Sequence, residues 1–177
     1  MEGTGWYAHR GTSNRFVVPS VDTGRMERSY KREFDWFLAQ MRRNRPEDEN
    51  IEIQSVFFGG GSPSLAPTSL IKGLLDHFRT SVPFSEDAEV TLEANPTVRD
   101  DAWMKASVFH CHQSIETQKM REWRDGGVNR LSIGVQALND TDLQYLGRVH
   151  SVHEAIHAIE EGHQYFDKLS FDLIYAR

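Results

Sequence analysis

Four runs of strand character, each set apart from the next by a stretch of helical periodicity, constrain the fold of this chain more than any other feature. Ile51, Ile53, Val56, Phe57 and Phe58 form the first run, apolar on both faces as a buried parallel strand should be. "EVTLEANP", "NRLSIGVQ" and "KLSFDLIYAR" form the others. Between them, Leu70, Ile71, Leu74, Leu75 and Phe78 share one helix face, with Pro67 and Thr68 near its start. Residues 116–125 read as a short helix closed by Gly126 and Gly127. "LNDTDLQYLGRVH" reads as a turn with a short helix. The next helix carries a stripe of Val152, Ala155, Ile156, Ile159 and Phe166, and Ser151 and Glu154 have capping-box spacing at its start. A helix over 26–43, with Tyr30, Phe34, Phe37, Leu38 and Met41 on its apolar side, precedes the first strand. "SVPFSEDA" reads as a turn, residues 1–24 as an irregular lead-in, and 98–115 shows no clear pattern.

Such alternation predicts an α/β fold with a parallel sheet and right-handed crossovers. Active sites of these folds gather where the strands end, at the carboxyl edge. The unusual residues of this chain lie there. Gly59, Gly60 and Gly61 end the first strand, Glu93 the second and Gln136 the third, and Asp172 sits in the last.

The length of 177 residues favours one domain. A net charge of -6 argues against a nucleic-acid partner, which would require a basic face. No stretch reaches the roughly 20 apolar residues of a membrane span, and the start lacks the apolar core of a signal peptide. The single cysteine, Cys111, excludes a disulfide framework and points to a reducing, cytoplasmic-type compartment. It also excludes a cysteine-ligated cluster held by this chain alone.

Each candidate has an ordinary reading beside its functional one. The glycines offer bare backbone to an anion or a zwitterion, or simply a tight turn. They match neither the P-loop nor the dinucleotide fingerprint. Glu93 suits an ammonium group or a ribose hydroxyl, or a surface ion pair. Gln136 suits a ribose or a carboxylate, or is a satisfied polar residue at a strand end; Arg148 suits a carboxylate fork, or a helix C-cap or a solvated charge; Asp172 is an inward carboxylate that needs a partner. His153 and His157, with His150 near, and the run His110, Cys111, His112 lack the glutamate of a zincin motif, and read as surface or packing residues.

In order along the chain, "VFFGGGSPSLAP", "VTLEANPT", "GVNRLSIGVQALNDTDLQYLGRVHS" and "LSFDLIY" resemble the radical S-adenosylmethionine (radical SAM) superfamily. They resemble in particular the group of anaerobic coproporphyrinogen III oxidase and the HemW-type heme chaperone. "EANP" and "GVNRLSIGVQ" look like the HemW branch. The resemblance runs from about Asn14 to Tyr175 and implies a partial TIM-like barrel over 25–177, with 98–115 as an insertion. Four of the family's six strands and their outer helices are expected.

By the same resemblance, Gly60, Gly61 and Ser62 contact S-adenosylmethionine (SAM), together with Glu93, Gln136, Arg148 and Asp172. Ser62 stands where the family usually has Thr. The family's CxxxCxxC motif, whose three thiolates hold a [4Fe-4S] cluster that reduces SAM to methionine and a 5′-deoxyadenosyl radical, has no counterpart in this sequence. This chain alone is therefore expected to lack the radical reaction. The implied role is binding or transfer of heme, a porphyrin partner handed to an acceptor protein, in mitochondria as for the animal members. The alternatives are a non-catalytic heme-binding or interaction module, with His150, His153 or Cys111 as axial ligand, a porphyrinogen-oxidising enzyme when full length, and a barrel enzyme that holds a phosphate in its glycine loop. Four strands short of closure are also expected to leave Val56, Phe58, Leu92 and Ile133 partly wet.

Overall fold

The computed structural model describes residues 21–44, 50–96 and 115–175. The expectations for 1–20, for most of the 98–115 insertion and for His110, Cys111 and His112 lie outside these residues. Among the described residues, four strands form one sheet: β1 (Ile53–Phe58), β2 (Phe84–Ala94), β3 (Arg130–Gln136) and β4 (Lys168–Leu173). They pair in the order β1-β2-β3-β4, every pair parallel. The helices are α1 (Thr23–Arg43), α2 (Thr68–Ser81), α3 (Ile115–Asp125), α4 (Asp140–Tyr145) and α5 (Val152–Tyr165), with one 3-10 turn at Pro63–Leu65.

Strand alternation divides the sheet into two unlike faces. Val90, Leu92 and Ala94 of β2 and Leu131, Ile133 and Val135 of β3 are buried with Ile71 and Leu75 of α2, Met120 and Trp123 of α3 and Ala155 and Ala158 of α5. This is the core. The other face is polar. Arg130 Nη1 donates to Glu89 Oε1 at 2.7 Å and Nη2 to Ser170 Oγ at 3.2 Å. Ser170 Oγ donates to Ser132 Oγ at 3.3 Å, and Thr91 Oγ1 to Glu89 Oε1 at 3.3 Å. Lys168 Nζ stands 3.8 Å from Glu89 Oε2. The expectation of wet apolar side chains is corrected for Leu92 and Ile133 and met at Val56 and Phe58, which remain partly exposed. Leu92 and Ile133 are buried, and Val56 and Phe58 pack against the core. The unclosed face tolerates water because the residues it presents are hydroxyls and ion pairs. Phe57 is the exception on β1, and its ring is exposed.

Arg130, by hydrogen bond and by charge, holds the Glu89 carboxyl below its ordinary value of 4.5. A depressed carboxylate contributes stability above the unfolded value and loses it as pH falls through the folded one. Arg130→Met is therefore expected to lower the unfolding midpoint near neutral pH, and the gap from wild type to narrow as pH drops below 4.5. A gap that is constant across that interval, in urea melts at several pH values, would contradict the pairing.

β2 starts earlier than its sequence indicates. Phe84–Ala88 was expected in a turn, but Ile53 pairs with Phe84 and Ser55 with Glu89 across a register shift. Glu86 and Asp87 disguise a strand that tertiary pairing enforces. The Phe84 ring packs on the core, with the Arg79 guanidinium 5.3 Å from its centroid. α1 begins at an Asp22 cap whose carboxylate accepts from Arg25 N at 2.8 Å. It lies on α2 through Phe34 against Phe78 (4.4 Å between centroids) and through His77 Nε2 with Asp35 Oδ1 at 2.7 Å. Tyr30, Phe37 and Met41, expected on its apolar side, remain exposed, and Leu38 is buried.

The capping box forms with both halves. Ser151 Oγ accepts from Glu154 N at 3.2 Å, and Ser151 N donates to Glu154 Oε2 at 2.7 Å. Ser151→Ala is expected to cost about 1 kcal/mol, readable as a shift in the urea midpoint without a change in slope. No shift would mean that water serves the helix end equally well.

Candidate ligand site at the carboxyl edge of the sheet

The glycine run after β1 has two different reasons for its composition. Gly60 and Gly61 lie in the left-handed region at φ +80° and +64°, which side chains rarely adopt. A Cβ built on either meets nothing within 4 Å, so both present bare backbone to open space. Gly59 is different. A Cβ there would stand 2.3 Å from the Phe57 ring and 3.2 Å from the Glu93 carboxyl carbon. Phe57 and Glu93 thus close over the loop from either strand.

Glu93 grips that loop. Gly60 N donates to Glu93 Oε2 at 3.1 Å. Two residues on, Asn95 Nδ2 donates to Ser62 Oγ at 3.3 Å, and Asn95 N reaches the buried Ser64 Oγ at 3.5 Å. Lys119 Nζ of α3 donates to Ser64 O at 3.3 Å. The loop after β1 is therefore fastened to the end of β2 by one carboxylate and one amide. Among the described residues, Glu93 Oε1 accepts no hydrogen bond.

β3 ends at Gln136, the one non-glycine residue among those described with a positive φ, +70°. Its carbonyl accepts from Ile174 N at 2.8 Å. The preceding carbonyl, Val135 O, accepts from His150 Nε2 at 3.0 Å, and His150 is buried. A register shift between Ile133 and Gln136 sets Gln136 opposite Leu173. Ser170 bonds Ser132 and Arg130 across the polar face, so by alternation Asp172 follows on that face. Asp172 is exposed. Arg148 comes from the connection after α4, half-buried, with its N–H donating to Leu143 O at 2.8 Å.

The structure thus joins Gly60 to Glu93 directly, and Ser62 to the strand of Glu93 through Asn95. It sets Gln136 and Asp172 on neighbouring strands of the same face. Arg148 reaches this edge through a separate loop, two residues from His150. Sequence reasoning missed Asn95, Ser64 and Gly134. The signal for Asn95 was its place two residues after Glu93, on the same strand face. His150, a candidate axial ligand by sequence, is buried with Nε2 committed to Val135. His153 is exposed on α5, and His157 Nδ1 lies 3.6 Å from Glu161 Oε2. Among the described residues, no group of three His, Cys, Asp or Glu is placed to hold a metal ion.

A parallel strand–helix sheet whose loops gather backbone, carboxylate and amide at its carboxyl edge has the layout of barrel-type folds, which place their sites at that edge. The model of the radical SAM superfamily matches residues 15–176, and the chain belongs to that superfamily. It is 37% identical over 163 residues to radical S-adenosyl methionine domain-containing protein 1, mitochondrial, of Dictyostelium discoideum, covering 89% of this chain and 33% of that protein. It is 31% identical over 145 residues to the heme chaperone HemW of Buchnera aphidicola, covering 82% of this chain and 34% of that one. Among solved structures, coproporphyrinogen III oxidase (HemN) from Escherichia coli, a radical SAM enzyme, superposes with a TM-score of 0.54 at 25% identity. That match covers 70% of this chain and 25% of the enzyme. The chain spans about a third of the length of the curated relatives it matches. Its four parallel strands with outer helices form part of a radical SAM barrel.

The two groups that the family implies fit this chain unequally. A [4Fe-4S] cluster is held by several cysteine thiolates, and these 177 residues contain one cysteine. That ligand set is not furnished here. SAM fits better. Open space faces Gly60 and Gly61, and the Glu93 carboxylate beside them has one oxygen that accepts no hydrogen bond among the described residues.

Proposed function

We propose that this chain is a HemW-like radical SAM domain that binds SAM at the carboxyl edge of its sheet and serves heme binding and transfer in mitochondria. The observation that carries the reading is Glu93, clamped by the Gly60 N–H through one oxygen and open at the other. SAM is a zwitterion with a sulfonium. Its ammonium group suits Glu93 Oε1. Its carboxylate suits the bare backbone at Gly60 and Gly61, the Ser62 hydroxyl and the Arg148 guanidinium. Gln136 and Asp172 offer an amide and a carboxylate to the ribose hydroxyls. When bound, SAM brings an activated alkyl group. What these residues do is orient it and hold its charges out of water.

The relatives' names support heme as cargo and mitochondria as the compartment. Of the axial ligands considered, His150 is buried, so a heme has poor access to it. The exposed His153 is the candidate among the described residues.

Calorimetric titration of the folded 177-residue chain with SAM is expected to give saturable binding, competed by S-adenosylhomocysteine. A folded chain that takes up no SAM would overturn the reading of the site. Hemin titration followed at the Soret band tests the cargo independently. A saturable spectral shift that His153→Ala weakens is expected, and non-saturating partition would dismiss a heme site.

A further inference from the structure

We propose that Gly134 and His150 are positioning residues that hold Gln136 in the conformation in which it meets the ligand, an inference resting on the reading of Gln136 as a SAM contact. Gln136 is an unusual residue to trust with recognition. Its backbone adopts a φ of +70°, which an L side chain takes only when its surroundings enforce it. Three hydrogen bonds enforce it, and the first is local: Ala137 N donates to Val135 O at 2.9 Å and closes a tight turn about Gln136. Val135 O, immediately before, is bonded by the buried His150 Nε2 at 3.0 Å, and Gln136 O accepts from Ile174 N at 2.8 Å. The end of β3 is thereby fixed from the α4–α5 connection on one side and from the end of β4 on the other.

The side chain is held by an absence. A Cβ on Gly134 would lie 2.9 Å from Gln136 Nε2 and 3.7 Å from Asn95 Oδ1. Gly134 has no left-handed backbone to excuse it. Its missing side chain instead leaves the space into which the Gln136 amide folds back along the strand. Asn95, on the far side of that space, donates to Ser62 of the glycine loop. Gly134 is therefore the bare spot where the groups from the ends of β2 and β3 meet. Because the atom that a Cβ would strike is the free end of a flexible side chain, Gly134→Ala should leave the sheet standing and move only the Gln136 amide.

The test uses the 177-residue chain and the variants Gly134→Ala, His150→Ala and His150→Gln, whose amide nitrogen reaches as far as imidazole Nε2. The Gln136 side-chain amide is followed by ¹⁵N–¹H NMR, assigned by its loss in Gln136→Glu, and SAM affinity by calorimetry. Gly134→Ala is expected to keep the far-UV spectrum, shift the Gln136 amide signal and weaken SAM about tenfold. His150→Ala is expected to speed exchange of the Ile174 amide and weaken SAM to a similar degree, and His150→Gln to restore most of both. If His150→Ala does not fold, Gly134→Ala and His150→Gln still decide. An unmoved Gln136 signal in Gly134→Ala, or His150→Gln no better than His150→Ala, overturns the proposal. Spectral responses as expected in a chain that binds no SAM would sustain the positioning and remove the ligand. SAM bound equally by wild type and by a Gly134→Ala chain with a displaced Gln136 amide would keep the ligand and remove the positioning role.

Discussion

Leu131→Ala is expected to remove about 2–5 kcal/mol of stability, a large part of the roughly 5–15 kcal/mol that a domain possesses. Leu131 is fully buried near the start of β3, with Leu92 and Leu169 beside it in register. α5 crosses it at Gly162, where a Cβ would come within 3.5 Å of Leu131 Cδ2 and 2.5 Å of Leu169 Cδ1. The helix backbone already rests on the sheet there and cannot close further to fill a cavity. Removing the side chain therefore loses its burial and leaves a void as well. Urea denaturation of the variant should show a lower midpoint at unchanged slope. A loss below about 1 kcal/mol would mean that α5 and β3 repack more freely than native cores do.

Glu93→Ala is expected to lower SAM affinity about a hundredfold, with little change in global stability. Charge-assisted hydrogen bonds contribute about 1.5–3 kcal/mol each, and every 1.4 kcal/mol is about a factor of ten in affinity. The variant loses the anchor of Gly60 N on Oε2 and, on the proposed reading of the site, the ligand ammonium on Oε1 as well. Gly60 and Gly61 then recover the freedom that their left-handed conformations gave up. Glu93→Gln separates the two effects, because its amide oxygen still accepts from Gly60 while the charge is gone. Its affinity should fall between those of wild type and Glu93→Ala. Equal affinity for Glu93→Gln and wild type would show that the ligand brings no cation to this position.

Much of this architecture is written in local pattern. The alternation of apolar periods delivered four parallel strands in chain order, and α2 and α5 start where Pro67 with Thr68 and Ser151 with Glu154 signal a helix start. Ser151 and Glu154 formed both halves of their box because capping is a contact between near neighbours. Reading failed where the partner is distant in sequence. The start of β2 carries Ser85, Glu86 and Asp87, and only pairing with β1 makes it a strand. The polarity of the unclosed face was legible in the alternation of Glu89, Thr91 and Glu93 with Val90 and Leu92, but was overridden by the expectation that parallel strands are apolar on both sides. At the site, the strand-end rule located Gly60, Glu93 and Gln136. It could not foresee that Gln136 is left-handed, since no glycine announces it, or that His150 spends its ring nitrogen on a carbonyl fifteen residues back.

The order β1-β2-β3-β4 has a temporal consequence. A chain emerging from the ribosome amino end first completes each strand beside one already made, and no strand waits for a partner still to be translated. Every addition extends the template by a single crossover from the strand just made. Had the spatial order been shuffled, an early strand would stand exposed while its neighbour was still being synthesised, a standing invitation to aggregate. Here the nascent sheet has a single growing edge, and it advances at the pace of translation.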